Sequence, residues 1–284
     1  MIKSTQILNG KEIAAKYLEK LSKELSEIRE SGTTLTLSTV QVGNAHDTEL
    51  YARAIANLLQ KLGIRHIPFH FPEEVQENAL RQEILKVSQD SHITGIMIFA
   101  PLPVRMALGS LLRIAGALKD VEGRLALLSS KSKIMSPTAM AAIALFEETQ
   151  YDATGKEALI IGRSDVVGKP AALMMLEKNA TVTIAHSKTV HLKEYVQRAD
   201  IVIVSVGKPE IIKGDWIKPG AIVIDVGENI VNGKLVGDVE FEKAKDRASH
   251  ISPVPGGVGP VTNVMLIQNL INLHKLQALH HGNS

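Results

Sequence analysis

Three short runs in the second half of the chain, EALIIG (157–162), ADIVIVSVG (199–207) and AIVIDVG (221–227), are apolar at almost every position and end in glycine. A strand that is apolar on both faces needs cover on both faces, and a parallel sheet layered by helices provides it. ATVTIAH (180–186) adds a fourth strand to this series, with segments of helical length between the strands. The first half alternates in the same way. Ile13, Leu18, Leu21, Leu25 and Ile28 keep helical spacing over 11–29, and LTLSTVQVG (35–43) then reads as strand. Helical character returns over 46–62, RHIPFHF (65–71) is a strand, 76–90 a polar helix, GIMIFAPL (95–102) a strand, and 105–117 a helix. The expected fold class is α/β, as two domains. Residues 260–275 read as a long helix, and the final LHHGNS as a frayed tail.

With 284 residues, 45% of them hydrophobic, the chain has material for two cores of ordinary domain size. It has no cysteine, which removes disulfides, thiolate metal sites and cysteine nucleophiles. The N-terminus lacks the pattern of a secretory signal, and no uncharged apolar run reaches membrane-spanning length. A cytoplasmic location is expected. Lys plus Arg number 32 against 30 Asp plus Glu, scattered along the chain, so neither a nucleic acid nor a membrane is an expected partner and a small molecule is. His46, His66, His70, His186, His191 and His250 make no ligand set on one face, so no metal is expected.

EALIIGRSDVVGKPAALMML sets a strand directly before Gly162 and a helix directly after Gly168, a geometry that aims backbone N–H groups at a phosphate. Only these two glycines are present, so this is not the full dinucleotide fingerprint. The following strand ends in AHSKT, where a fold of this kind reads the adenosine ribose. It offers no carboxylate there. Arg163, Ser164, Ser187 and Lys188 offer donors and positive charge suited to a 2′-phosphate, so NADP is favoured over NAD. Gly207, at the end of ADIVIVSVG, joins the candidate cofactor set.

GRSDVVGKP (162–170), AHSKT (185–189), DVGEN (225–229), GDVEF (237–241) and SPVPGGVGPVT (252–262) together resemble the methylenetetrahydrofolate dehydrogenase/cyclohydrolase family. NGKEIA (9–14), VGN with Tyr51, GIMIFAPLP (95–103) and KDVEG (119–123) extend the resemblance across the first half. It implies two α/β domains flanking a cleft. The first is a folate-binding domain over 1–139 with a returning helix (260–284), and the second a Rossmann-type NADP domain over 140–259. It also implies a homodimer, stacking of Tyr51 on the folate ring, and substrate contacts at Glu122, Pro255 and Gly259. Asp225 and Asp238 receive no role. The implied reactions are oxidation of 5,10-methylenetetrahydrofolate to the methenyl form, then hydrolysis to 10-formyltetrahydrofolate.

The chain departs from the family pattern where that second reaction is concerned. The family motif has Ser, Tyr three residues on, and Lys four beyond the Tyr, whereas DTELYARAI supplies Thr48, Tyr51 and Ile55. Lys61 lies six residues further, about 9 Å of helical rise away and on a different face, and Arg53 is too basic to accept a proton. Phe99 stands where the family has the Gln that hydrogen-bonds the lysine, and Glu122 where it has an Asp. The PCTP-like segment survives as SPTA (136–139), keeping Thr138. Hydride removal leaves a cation stabilised by two flanking nitrogens and needs no base, whereas water attack releases a proton. The expectation is an NADP-dependent dehydrogenase with weak or absent cyclohydrolase activity. The alternatives are the complete bifunctional enzyme and a catalytically silent folate- or nucleotide-binding homologue.

Overall fold

The computed structural model describes residues 4–125 and 134–281. In chain order the elements are β1 (Gln6–Ile7), α1 (Gly10–Glu30), β2 (Thr36–Val42), α2 (His46–Lys61), β3 (Arg65–Phe71), α3 (Glu77–Gln89), β4 (Gly95–Ile98), α4 (Leu108–Ala115) and α5 (Pro137–Glu148). They continue as β5 (Glu157–Ile161), α6 (Gly168–Glu177), β6 (Thr181–Ala185), α7 (Leu192–Arg198), β7 (Ile201–Val204), β8 (Ile222–Asp225), β9 (Asn229–Val231), β10 (Lys234–Val236), α8 (Phe241–Lys245), β11 (His250–Ile251) and α9 (Val258–His281). Two compact units result: residues up to Leu18 with Ser136–Met265, and Glu19–Met135 with the residues from Leu266 on.

The unit that holds the C-terminal strand series carries a six-stranded sheet in the order β1-β11-β8-β7-β5-β6, every pair parallel. All four residues of β7 and of β8 are buried, as the unbroken apolar runs require of central strands. β6 is the edge, which explains its alternating threonines and an Ile184 that is 43% exposed. The order of strand addition switches sides at β5: β6 lies on one side of it and β7 on the other, all parallel, so the loops leaving the three emerge at neighbouring carboxyl ends. Asn232 and Gly233, both with positive φ, turn the small β9-β10 hairpin, as an Asn-Gly pair is suited to do.

The other unit holds a three-stranded parallel sheet, β3-β2-β4. Val40 and Val42 of β2 and Ile96 and Ile98 of β4 pack with Leu80, Ile84 and Val87 of α3 and with Leu111 and Leu112 of α4. Pro68 lies in β3, at the sheet edge, where a missing amide costs least. Gly95 opens β4 to α9, since a Cβ there would sit 2.8 Å from Leu270 Cδ1. The Asn269 side chain of α9 donates to the carbonyls of Val121 (2.8 Å) and Met135 (2.7 Å), tying these two residues to the helix.

These units divide the chain differently from the expected 1–139 and 140–259. β1 pairs with β11 (Gln6 with His250, Ile7 with Ile251), and the Gly10 amide donates to the Gly256 carbonyl at 2.8 Å. The N-terminal segment therefore belongs to the six-stranded unit, through a strand of two residues too short to carry a pattern. The last helix begins at Val258 and runs through His281, so Leu279 to His281 are helical rather than a frayed tail, and 282–284 lie outside the described residues.

Candidate functional sites

At the carboxyl edge of the six-stranded sheet, β5 and β6 pair as far as Ile161 with Ala185, and the Gly162 amide donates to the Ala185 carbonyl at 2.9 Å. The two segments expected to meet a nucleotide, 162–168 and 186–188, therefore leave adjacent strand ends. Gly162 has φ +126, and a Cβ there would lie 2.3 Å from the Ser205 carbonyl oxygen. A Cβ on Gly168 would lie 2.3 Å from the Gly162 oxygen. Both glycines are thus demanded by close backbone approach. Arg163, Ser164, Ser187 and Lys188 are all exposed at this edge.

One detail differs from the sequence expectation. The Ser164 hydroxyl oxygen accepts from the amides of Val167 (3.1 Å) and Gly168 (3.4 Å), and the Lys169 amide bonds the Ser164 carbonyl (3.1 Å). The first amides of α6 are therefore occupied by Ser164 and do not stand open to a phosphate. Ser164 keeps its hydroxyl proton, so the donors at this edge are that O–H, Ser187, Arg163 and Lys188. A glycine cradle with two exposed cations beside it fits a nicotinamide dinucleotide carrying an additional phosphate, held by side chains more than by the helix terminus. His186 accepts the Lys188 amide at Nδ1 (3.2 Å) and so shapes the 186–188 turn.

Asp225 and Asp238 brace this edge from behind. Asp238, fully buried, accepts from the amides of Val206 (2.6 Å), Gly207 (3.0 Å) and Lys208 (2.8 Å) and from Asn229 Nδ2 (3.0 Å). It thereby fixes the turn after β7 that contains Gly207. Asp225 accepts from the amides of Gly227, Asp238 and Val239. Burial pushes the Asp225 carboxyl up to about 7, against three backbone hydrogen bonds that hold it down, with the Asp238 charge adding to the rise. Both residues are thus loop organisers. A Cβ on Gly10 would fall 1.7 Å from the oxygen of Gly257 in the PVPGGVGP segment, so close approach to that segment demands glycine at the start of α1, and a Cβ on Gly257 itself would lie 2.6 Å from the Pro253 oxygen. Pro255 follows a cis peptide, and a Cβ on Gly259 would lie 3.1 Å from Glu228 Oε1.

In the three-stranded unit, Tyr51 and Ile55 share a face of α2. Ile55 is wholly buried, and the Phe99 ring, 4% exposed, meets Tyr51 edge to face at 5.8 Å between centroids and 80°. The positions expected to carry lysine and glutamine are thus an apolar wall beside the tyrosine. Arg53 lies outside this face, exposed and paired with Glu49 at 3.2 Å, and Lys61 is exposed. Thr48 Oγ1 reaches the Ala100 carbonyl at 3.4 Å, a weak bond.

Glu122 enters the same electrostatic neighbourhood. Burial, with the Glu122 charge adding to it and Arg124 opposing, pushes the Tyr51 hydroxyl up to about 12. Burial likewise raises Glu122, Arg124 pulls it back, and Asp120 raises it. Arg124 went unnoticed in the sequence. Its Nη2 bonds Glu122 Oε1 at 3.0 Å, while Glu122 Oε2 and Arg124 Nε are buried without a hydrogen-bond partner. Gly123 between them has φ +63, and a Cβ there would lie 2.8 Å from the Met135 carbonyl carbon, so the turn that aims Arg124 at Glu122 depends on glycine. An Arg two residues beyond an acidic position, across a glycine, was the available signal. His66 and His70 are occupied with Thr39 Oγ1 (2.8 Å) and the Gly43 carbonyl (2.9 Å). Among the described residues no three His, Asp or Glu side chains converge on a possible metal position, and no helix is long and apolar enough to cross a membrane.

Comparison with known proteins gives a consistent result. Residues 8–122 match the family model for the tetrahydrofolate dehydrogenase/cyclohydrolase catalytic domain, and 136–278 the model for the NAD(P)-binding domain of the same family. A bifunctional FolD protein of Geobacter sulfurreducens is 43% identical over 276 residues, 95% of this chain and 97% of the relative. The crystal structure of the bifunctional FolD enzyme of Campylobacter jejuni superposes with a TM-score of 0.92 at 33% identity, covering 96% of this chain and 99% of that one. The Trypanosoma brucei enzyme, solved with NADP and an inhibitor, gives 0.89 at 31% identity, over 97% and 99%.

Proposed function

The chain belongs to the tetrahydrofolate dehydrogenase/cyclohydrolase family, and from that premise we propose that it oxidises 5,10-methylenetetrahydrofolate to the methenyl form with NADP and hydrolyses the product weakly or not at all. The observation that carries this reading is that Ile55, one helical turn from Tyr51, and Phe99, edge to face with its ring, are both buried apolar side chains.

Arg163, Ser187 and Lys188 are the residues to hold the phosphates of NADP, Gly162 and Gly168 allow the close backbone approach beneath them, and Gly207 supplies a turn at φ +64. When bound, the nucleotide supplies the acceptor for a hydride. The chain's task in that step is positional, because the cation left on the substrate is stabilised by its own two nitrogens. Tyr51 and Glu122 are the groups to seat the pterin ring, one by its face and one by accepting hydrogen bonds. Hydrolysis differs. The attacking water must lose a proton, and a positioned acceptor contributes about 10² to 10⁴-fold. Ile55 and Phe99 have no acceptor to offer. The reading includes a homodimer and a cytoplasmic location, both supported by the family resemblance alone.

One observation favours a second reading, retention of both activities. Glu122 is a buried carboxylate, pushed above the usual carboxylate range by burial, with one oxygen free to accept a proton. A single set of assays separates the readings. Purified protein is given 5,10-methylenetetrahydrofolate with NADP, then with NAD, and finally methenyltetrahydrofolate without nucleotide. The expected result is NADP reduction together with methenyl loss at the buffer rate. Faster enzyme-dependent methenyl loss establishes the bifunctional reading, and no reduction with either nucleotide establishes a silent binding protein.

A further inference from the structure

Glu122 and Arg124 form an incomplete fork. The Nε and Nη2 protons of a guanidinium lie on one edge, and a carboxylate that faces this edge normally takes both. Here only Nη2 to Oε1 is made, at 3.0 Å. Nε is left as a donor and Oε2 as an acceptor, both buried and both without a hydrogen-bond partner. Leaving two such groups unsatisfied is costly, and a ligand that fills both recovers the cost. The group that fills them must carry an acceptor and an N–H on adjacent atoms, as a cyclic amide does. A lone carboxylate, with two free oxygens, would instead read two adjacent donors.

We propose that Arg124 is a ligand-contacting, specificity-determining residue, which with Glu122 reads the lactam edge of a pterin ring, N–H onto Oε2 and C=O onto Nε. This rests on the folate reading above and goes beyond it, because that reading asks only that Glu122 accept hydrogen bonds. Tyr51, whose hydroxyl senses the charges of both Glu122 and Arg124, and Phe99, packed against it, supply an aromatic surface for a planar ring beside the fork. The 2-amino group of the ring then has no obligatory partner in the pair, since Oε1 is already occupied by Arg124.

The test is isothermal titration of the full chain with tetrahydrofolate, with its 4-amino counterpart, which has a donor where the lactam has an acceptor, and with an analogue lacking the 2-amino group. The parent protein is expected to bind tetrahydrofolate and the analogue lacking the 2-amino group within about 3-fold, and the 4-amino compound about 10 to 100-fold more weakly. Arg124→Met is expected to lose about 10 to 100-fold in affinity for tetrahydrofolate and to stop discriminating against the 4-amino compound. Arg124→Lys keeps the charge without the fork and is expected not to restore that discrimination. Circular dichroism checks that each variant is folded, with Arg124→Lys carrying the test if Arg124→Met is not.

Three results overturn the proposal. A folded Arg124→Met that binds tetrahydrofolate as the parent does makes Arg124 a mere ion-pair partner. Full restoration by Arg124→Lys reduces it to keeping Glu122 ionised. Strong rejection by the parent of the analogue lacking the 2-amino group means that the carboxylate reads two donors. Failure of the parent protein to bind tetrahydrofolate overturns the folate reading itself, and this inference with it.

Discussion

Substituting Asp238 by Asn tests whether the carboxylate pair behind the sheet edge holds the cofactor turn in place. One Asp238 oxygen accepts from the amides of Val206 and Gly207, the other from the Lys208 amide and Asn229 Nδ2. Whichever way an Asn amide is flipped, its NH2 faces two donors, so two charge-assisted hydrogen bonds are lost and two N–H groups are stranded. Each such bond contributes about 1.5 to 3 kcal/mol. Part of the loss is returned because Asp225 no longer faces a neighbouring charge, which leaves a destabilisation of about 2 to 4 kcal/mol. That is a large share of the roughly 5 to 15 kcal/mol that holds a typical domain together. Trp216, the only tryptophan, is packed against the core of this same unit. Urea unfolding followed by its fluorescence therefore reports on the affected unit. The expected result is a lower urea midpoint together with weaker NADP binding, since the turn that carries Gly207 is loosened. A midpoint that moves by less than about 0.5 kcal/mol in equivalent stability, as an ordinary surface substitution would, refutes the reasoning that these hydrogen bonds bear on the fold.

Gly162→Ala should abolish nucleotide binding and destabilise the six-stranded unit, because the added Cβ would lie 2.3 Å from the Ser205 carbonyl oxygen at φ +126; equilibrium dialysis with NADP and thermal unfolding check both. Burial pushes the Asp225 carboxyl up to about 7 from an ordinary 3.8, so the stability contributed by its protonated form is fully present below about pH 4 and is lost as pH rises through 7. Trp216-detected urea midpoints of the wild type should fall across that window, and Asp225→Asn should flatten the fall. Ile55→Lys together with Phe99→Gln should raise methenyltetrahydrofolate hydrolysis by at least about 10-fold over the parent. Ile55→Lys alone should mainly cost stability, since it buries an ammonium group beside an aromatic ring.

The features legible in the sequence are those that repeat or that require glycine. Apart from Glu157 and Asp225 at their ends, β5, β7 and β8 are apolar throughout and so announce a covered parallel sheet. The Gly162 to Gly168 loop announces itself because two close backbone approaches exclude every other residue. By contrast, β1 is two residues long and joins its sheet by pairing with a strand more than 240 positions away, which no local pattern encodes. The Asp225 and Asp238 clamp is hidden for a related reason, since an aspartate at a strand end has the same local sequence whether it caps its own turn or holds three amides of another. Arg124 is the most instructive omission. By sequence it is one more cation in a chain with 32 of them; the turn that brings it back to Glu122 runs through Gly123, where φ +63 and the nearby Met135 carbonyl carbon each require glycine. The departure at Ile55 is legible because the family motif leads one to expect a lysine there. A cation arriving from a turn belongs to no such motif, and only the folded turn sets the Arg124 guanidinium beside Glu122.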